Sequence, residues 1–195
     1  MNHIFYIMGK SSSGKDSVYK RLLSDLNLIP VVTYTTRPMR ENECNGREYH
    51  FVDKKCFDEM CRNGEVIEKR IYNTVYGEWI YFTSGNCINL ENGNYIGIGT
   101  LESYVRIRDY FGGDTVIPIY IEVDDGIRLI RAVERERLEA FPKYKELCRR
   151  FIADSDDFAE ENLLFAGIVK RFCNNTEIKS CIDEIENYIN KKADA

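Results

Sequence analysis

An α/β fold built on a parallel sheet is what this sequence predicts, and three observations carry the prediction. The 195 residues are 44% hydrophobic and 30% charged, a balance that can bury one sizeable core in a single globular unit. Short apolar runs alternate with stretches of helical period, the pattern of strands connected by crossover helices. The first apolar run also opens, through a loop holding two glycines and a lysine, onto an amphipathic segment, as a strand-loop-helix unit requires.

The first strand is expected at residues 4–8, all apolar. Val18, Leu22 and Leu26 then fall on one face of the helix that follows the loop. Residues 29–35 read as a second strand, entered through Pro30. Residues 95–98 and 116–123 are further strand candidates, each followed by a helical stretch, near 101–110 and 126–138. In such a sheet the binding site lies at the carboxyl ends of the strands. There is no internal repeat and no low-complexity segment, and residues 191–195 read as a tail.

The loop from Gly9 to Lys15 contains Ser11, Ser12, Ser13 and Gly14, and reads as a phosphate-binding loop. Its glycines let the backbone curl so that successive N–H groups point inward, Lys15 adds a mobile positive charge, and the helix offers its N-terminus to an anion. The Ser or Thr expected after the lysine is replaced by Asp16, with Ser17 next. A carboxylate ligates Mg²⁺ but repels phosphate, so Asp16 points to altered metal handling, with Asp16 and Ser17 as the metal-side candidates.

A net charge of −5 argues against a general nucleic-acid or membrane-surface binder. Seven cysteines lie scattered without a C-x-x-C pair, and His3 and His50 are the only histidines, so structural zinc is not expected and the thiols read as reduced. No apolar run approaches ~18 residues, and the N-terminus does not read as a cleavable leader. A cytoplasmic protein is expected, and composition does not decide between monomer and homodimer.

Residues 33–76 depart from the alternation and are polar and aromatic. Arg37 and Arg40 stand three apart around Pro38, a spacing that suits two guanidinium forks on one phosphate, and Tyr49 and Tyr76 offer phenolic donors. Further on, Arg128, Arg131 and Arg135 share a helical face, and Arg149 and Arg150 follow a loop containing Pro142. A solvated surface with ordinary arginines accounts for either pattern taken alone.

Taken together, the phosphate loop, the Thr35-Thr36-Arg37-Pro38-Met39-Arg40 block, Glu43, Gly46, Tyr49, Phe51, Glu68 and Tyr76-Gly77 resemble guanylate kinase over roughly residues 4–188. The resemblance implies a P-loop nucleoside monophosphate kinase fold: a core near 1–32 and 93–190, a monophosphate-binding insertion near 33–92 and a lid near 135–150. It implies phosphoryl transfer from ATP to GMP or dGMP with Mg²⁺. By the same resemblance Arg37, Arg40, Tyr49 and Tyr76 hold the acceptor phosphate, and Thr33 and Glu68 read guanine. Glu68 suits that role because guanine offers two adjacent donors that one carboxylate accepts. The resemblance also implies that Lys15, Arg131, Arg135 and one of Arg149 or Arg150 surround the transferred phosphoryl group, and that Asn175, or Asn174 shifted into its place, lies by the adenine.

The chain departs from the family in places. A strand that carries aspartates there reads Ile96-Gly97-Ile98-Gly99 here, Glu78 follows Tyr76-Gly77 in place of Ser or Thr, and the segment between Glu68 and Tyr76 is one residue shorter. Two further readings are therefore carried. Gly14-Lys15-Asp16-Ser17 also resembles ribose bisphosphate phosphokinase, whose acceptor is a sugar phosphate. A catalytically silent guanylate-kinase-like binding module is the third.

Overall fold

The computed structural model describes residues 1–74 and 77–193. Its centre is a parallel sheet in which β1 (Ile4–Met8) lies between β7 (Tyr95–Gly99) and β8 (Val116–Glu122). Outside these lie β2 (Ile29–Pro30), paired with β7, and β9 (Arg171–Cys173), paired with β8. Every residue of β1 is buried, because both faces of the sheet are covered; a strand so placed reads as a continuous apolar run. Phe5 and Ile7 pack toward Val18 and Leu22 of α1 (Lys15–Asp25) and Cys181, Ile185 and Ile189 of α7 (Ile178–Ala193). Ile4, Tyr6 and Met8 face the other way, toward Tyr104 and Ile107 of α3 (Leu101–Phe111) and Leu163 of α6 (Glu160–Phe165).

A second, smaller sheet has the order β4-β3-β6-β5, with β3 at Tyr34–Thr35, β4 at His50–Phe51, β5 at Val66–Thr74 and β6 at Gly77–Ser84. Its own core is small: Phe57 and Met60 of α2 (Lys54–Arg62) pack on Ile80 and Phe82. Asp53 fixes the start of α2 by accepting from the Cys56 N–H at 2.7 Å, satisfying one of the helix's orphan donors. Beside the loop that follows β1, α4 (Asp125–Arg137) and α5 (Tyr144–Asp157) are joined by residues 138–143.

Two expectations are corrected. The strand expected over 29–35 is two strands in two sheets. Pro30, which has no N–H to give a ladder, sits on the edge strand β2, where that loss is tolerated; the last bond to the parallel sheet runs from Val31 N to Ile96 O at 2.9 Å, and Tyr34 pairs instead with Phe82. The tail expected from residue 191 is still helix as far as Ala193, where Lys191 and Lys192 sit favourably at the negative end of the α7 dipole.

Candidate functional site

The phosphate loop leaves the carboxyl end of β1 and turns into α1 at Gly14, whose φ of 87° only glycine adopts without strain. Its other glycine is held by space: a Cβ on Gly9 would stand 2.6 Å from the Ile121 carbonyl. Gly9, Ser11 and Ser13 form the supporting side of the loop. Ser11 donates its N–H to Asp154 Oδ2 at 2.7 Å and accepts from Arg128 Nη1 at 3.0 Å, while the Ser13 carbonyl accepts from Asn174 Nδ2 at 2.8 Å. Ser12, Gly14, Lys15, Asp16 and Ser17 line the open side, a cavity of about 330 Å³ completed by Arg131 and Arg135 of α4. One lysine and two arginines thus face a helix N-terminus, an arrangement suited to a polyphosphate.

The other arginines divide. Arg128 is buried and structural: its guanidinium also donates to Asp125 Oδ1 at 2.6 and 3.0 Å and lies 4.5 Å from the centre of the Phe151 ring. It therefore ties the loop to α4 and α5. Arg150 lines a cavity of about 500 Å³ together with Arg135, whereas Arg149 lies outside it and is held in a bidentate pair by Glu146 at 2.7 and 2.8 Å. Hydrogen bonding by Arg149 holds the Glu146 carboxyl below the usual range. Asn175 accepts from the Asp124 N–H at 2.8 Å and so serves the start of α4; its neighbour Asn174, buried at 2% exposure, is the asparagine that touches the phosphate loop.

Between α1 and the second sheet lies a larger cavity, about 800 Å³, whose walls include Thr33, Tyr49, Lys20, Arg47, Arg70 and Tyr81. Thr33 and Tyr49 therefore come together as expected of one site. Arg37 stands behind them with its fork spent on the protein: it donates to the Tyr81 hydroxyl at 3.0 Å, the Pro38 carbonyl at 2.8 Å and Glu43 Oε1 at 2.7 Å. The other Glu43 oxygen accepts the Arg40 N–H at 2.8 Å, so the two arginines are fixed relative to each other, and the Arg40 side chain is exposed. Tyr76 lies outside the described residues.

Glu68 is buried and does not line the large cavity. It accepts from Thr83 Oγ1 at 2.7 Å, pairs with Arg70 Nε at 3.5 Å, and opens onto a separate cavity of about 380 Å³ beside Glu102 and Arg106. It is Arg70, two residues along the same face of β5, that reaches the large cavity.

The two glycines of β7 have a steric cause. Tyr6, opposite Gly97 in the parallel register, leans its ring across both of them. A Cβ on Gly97 would stand 2.7 Å from Tyr6 Cδ2, and one on Gly99 would stand 2.2 Å from the Tyr6 hydroxyl oxygen. Burial, and then the Glu68 charge, push the Tyr6 phenol above its ordinary pKa, so it stays a neutral hydroxyl. Sequence reasoning missed Tyr6 and Arg70; for Arg70 the signal was present in the alternation of Glu68, Arg70, Tyr72 and Thr74.

The family model for guanylate kinase matches residues 1–83. The guanylate kinase of Nitrosomonas europaea is 41% identical over 85 residues, 41% of this chain and 42% of that protein; that of Novosphingobium aromaticivorans is 29% identical over 161 residues, 80% and 62%. The chain spans about two fifths of the length of the first curated relatives that it matches. A guanylate kinase structure from Anaplasma phagocytophilum aligns with a TM-score of 0.62 at 22% identity, over 98% of this chain and 86% of that one. The first 83 residues are thus similar to the guanylate kinase family, and nearly the whole chain shares its fold with the Anaplasma phagocytophilum structure.

Proposed function

We propose that this protein transfers the γ-phosphoryl group of ATP to GMP or dGMP, giving ADP and GDP or dGDP. The observation that carries the proposal is the convergence of Lys15, Arg131 and Arg135 on one cavity at the phosphate loop, with a second, aromatic-walled cavity on the other side of α1. The guanylate kinase match over residues 1–83, which includes the whole of the second cavity's sheet except Ser84, supports GMP as the acceptor.

In this reading the loop N–H groups and Lys15 hold the outer phosphates of ATP. Arg131 and Arg135 neutralise charge on the equatorial oxygens during transfer, and Arg150, next to Arg135, is the better placed of the two arginines that follow the loop. Residues 135–150 form the lid that excludes water, residues 33–92 the monophosphate-binding region, and the remainder the core. Thr33 and Tyr49 face the acceptor, Arg40 and Tyr76 complete its phosphate site, and Arg37 joins them by exchanging Glu43 for the phosphate. Asp16 and Ser17 supply hard oxygen donors at the loop; Mg²⁺ needs only one or two such ligands beside the phosphates. Bound there, Mg²⁺ would supply charge neutralisation between the outer phosphates. The setting is cytoplasmic nucleotide metabolism, and among the described residues no helix is long and apolar enough to cross a membrane.

The test is a coupled ADP-release assay with ATP, Mg²⁺ and a panel of GMP, dGMP, AMP, UMP and ribose 1,5-bisphosphate. Turnover with GMP and dGMP alone is expected; turnover with ribose 1,5-bisphosphate alone, or with nothing, overturns the proposal. A second expectation separates the two substrates. Because in this reading the exposed Arg40 holds only the acceptor phosphate, Arg40→Ala is expected to raise KM for GMP by about tenfold and leave KM for ATP nearly unchanged. Equal changes in both constants would count against the assignment.

A further inference from the structure

Among the described residues Arg37 and Arg128 have side chains only 3% and 1% exposed, and the protein satisfies both. Arg37 makes three hydrogen bonds and Arg128 donates to Asp125 and to the Ser11 carbonyl. Arg70 is different. Its side chain is 28% exposed, its Nε is buried without a hydrogen-bond partner, and its one opposite charge among the described residues is Glu68 Oε2 at 3.5 Å. The Nε side thus faces Glu68, while the two terminal nitrogens, which make no hydrogen bond among the described residues, are the ones a ligand can reach, and a guanidinium fork left so is free to donate.

The surroundings define what completes it. Arg70 lines the 800 Å³ cavity, where Tyr81 stands edge-on to both Tyr49 and Tyr72, with ring centres 5.5 Å apart in each pair, so that flat apolar surfaces flank a planar fork of donors. Glu68 stands directly behind the fork. A phosphate dianion drawn to Arg70 would meet that carboxylate, whereas an uncharged ring edge with two adjacent acceptors would not. Guanine presents such an edge in O6 and N7, the pair that an arginine fork matches, while adenine places an amino donor where O6 would be.

We propose that Arg70 is a specificity-determining residue that donates to the O6–N7 edge of the acceptor base, its orientation set by the Glu68 carboxylate. This rests on the guanine reading given above and assigns the selectivity to a residue outside the pattern that suggested that reading. The arginine discriminates by what it cannot accept: an amino group facing it leaves two donors opposed and both unpaired.

The experiment compares kcat/KM for GMP and for 7-deaza-GMP, in which a C–H replaces N7, in wild type, Arg70→Ala and Arg70→Gln. The ratio between the two substrates is taken within each variant, so a lower folded fraction cancels. Wild type is expected to prefer GMP by about tenfold, and both variants to bring the ratio within about twofold of unity. A wild-type ratio near one, or a ratio that survives both substitutions, overturns the role of Arg70 while leaving GMP phosphorylation standing. No turnover of either substrate by wild type overturns the guanine reading and the role of Arg70 with it.

Discussion

Lys15→Met is expected to lower kcat by at least about 10²-fold, with the fold intact. Lys15 opens α1 and shares the 330 Å³ cavity with Arg131 and Arg135, and in the proposed function its ammonium faces the outer phosphates of ATP. Phosphoryl transfer offers little covalent chemistry for a protein to perform, and its rate comes from positioning and from positive charge over the oxygens that gain charge in the transition state. Methionine keeps the unbranched stem and the helix propensity while removing the charge, so the loss should appear in kcat with the melting temperature nearly unchanged. Steady-state kinetics on both substrates beside a thermal melt would check this. Turnover within a few-fold of wild type would show that this loop does not hold the reacting phosphates.

The contrast between what the chain spells out and what only the structure reveals follows from how local each cause is. β1 was legible to the residue because both of its faces are buried, leaving an unbroken apolar run bounded by Gly9. β7 and β8 were legible for the same reason. That Lys15, Arg131 and Arg135 line one cavity was legible because each lies in a fixed local spacing, on a loop-helix junction or along one helix. The second sheet was not foreseen. β3 and β4 are two residues each, and β5 carries Glu68, Arg70, Tyr72 and Thr74 on a face that lines cavities, so its alternation lacks the apolar half of the usual strand pattern. Contacts that join distant segments were beyond reach. Asn174 meets Ser13 across 161 residues, and Asp154 meets Ser11 across 143, and no spacing announces either. Gly97 and Gly99 show the limit most plainly: their departure from the family pattern stands in the sequence, while its cause, Tyr6, lies on another strand.

That cause leads to a stability prediction. Gly97→Asp is expected to destabilise the protein strongly, because the side chain must enter space that the Tyr6 ring already fills. The added Cβ would lie 2.7 and 2.8 Å from two ring carbons, and Tyr6, at 3% exposure between the sheet and α3, has no free volume to move into without repacking against Tyr104. Overpacking of this kind costs about 1–3 kcal/mol. The carboxylate adds a further cost, since it would be desolvated near the buried Glu68, whose charge already reaches Tyr6. For a chain of this length about 1 kcal/mol corresponds to roughly 2–4 °C, so the melting temperature should fall by on the order of 10 °C. Gly97→Ala isolates the steric part and should show a smaller fall. Tyr6→Ala alone leaves a cavity, but combined with Gly97→Asp the two changes are expected to be strongly non-additive, the double variant melting above the sum of the singles because the shortened side chain makes room for the new one. Thermal unfolding of the four variants beside wild type decides the matter. A Gly97→Asp protein that melts within about 2 °C of wild type, or a double variant whose losses simply add, would mean that the ring of Tyr6 is not what holds position 97 to glycine.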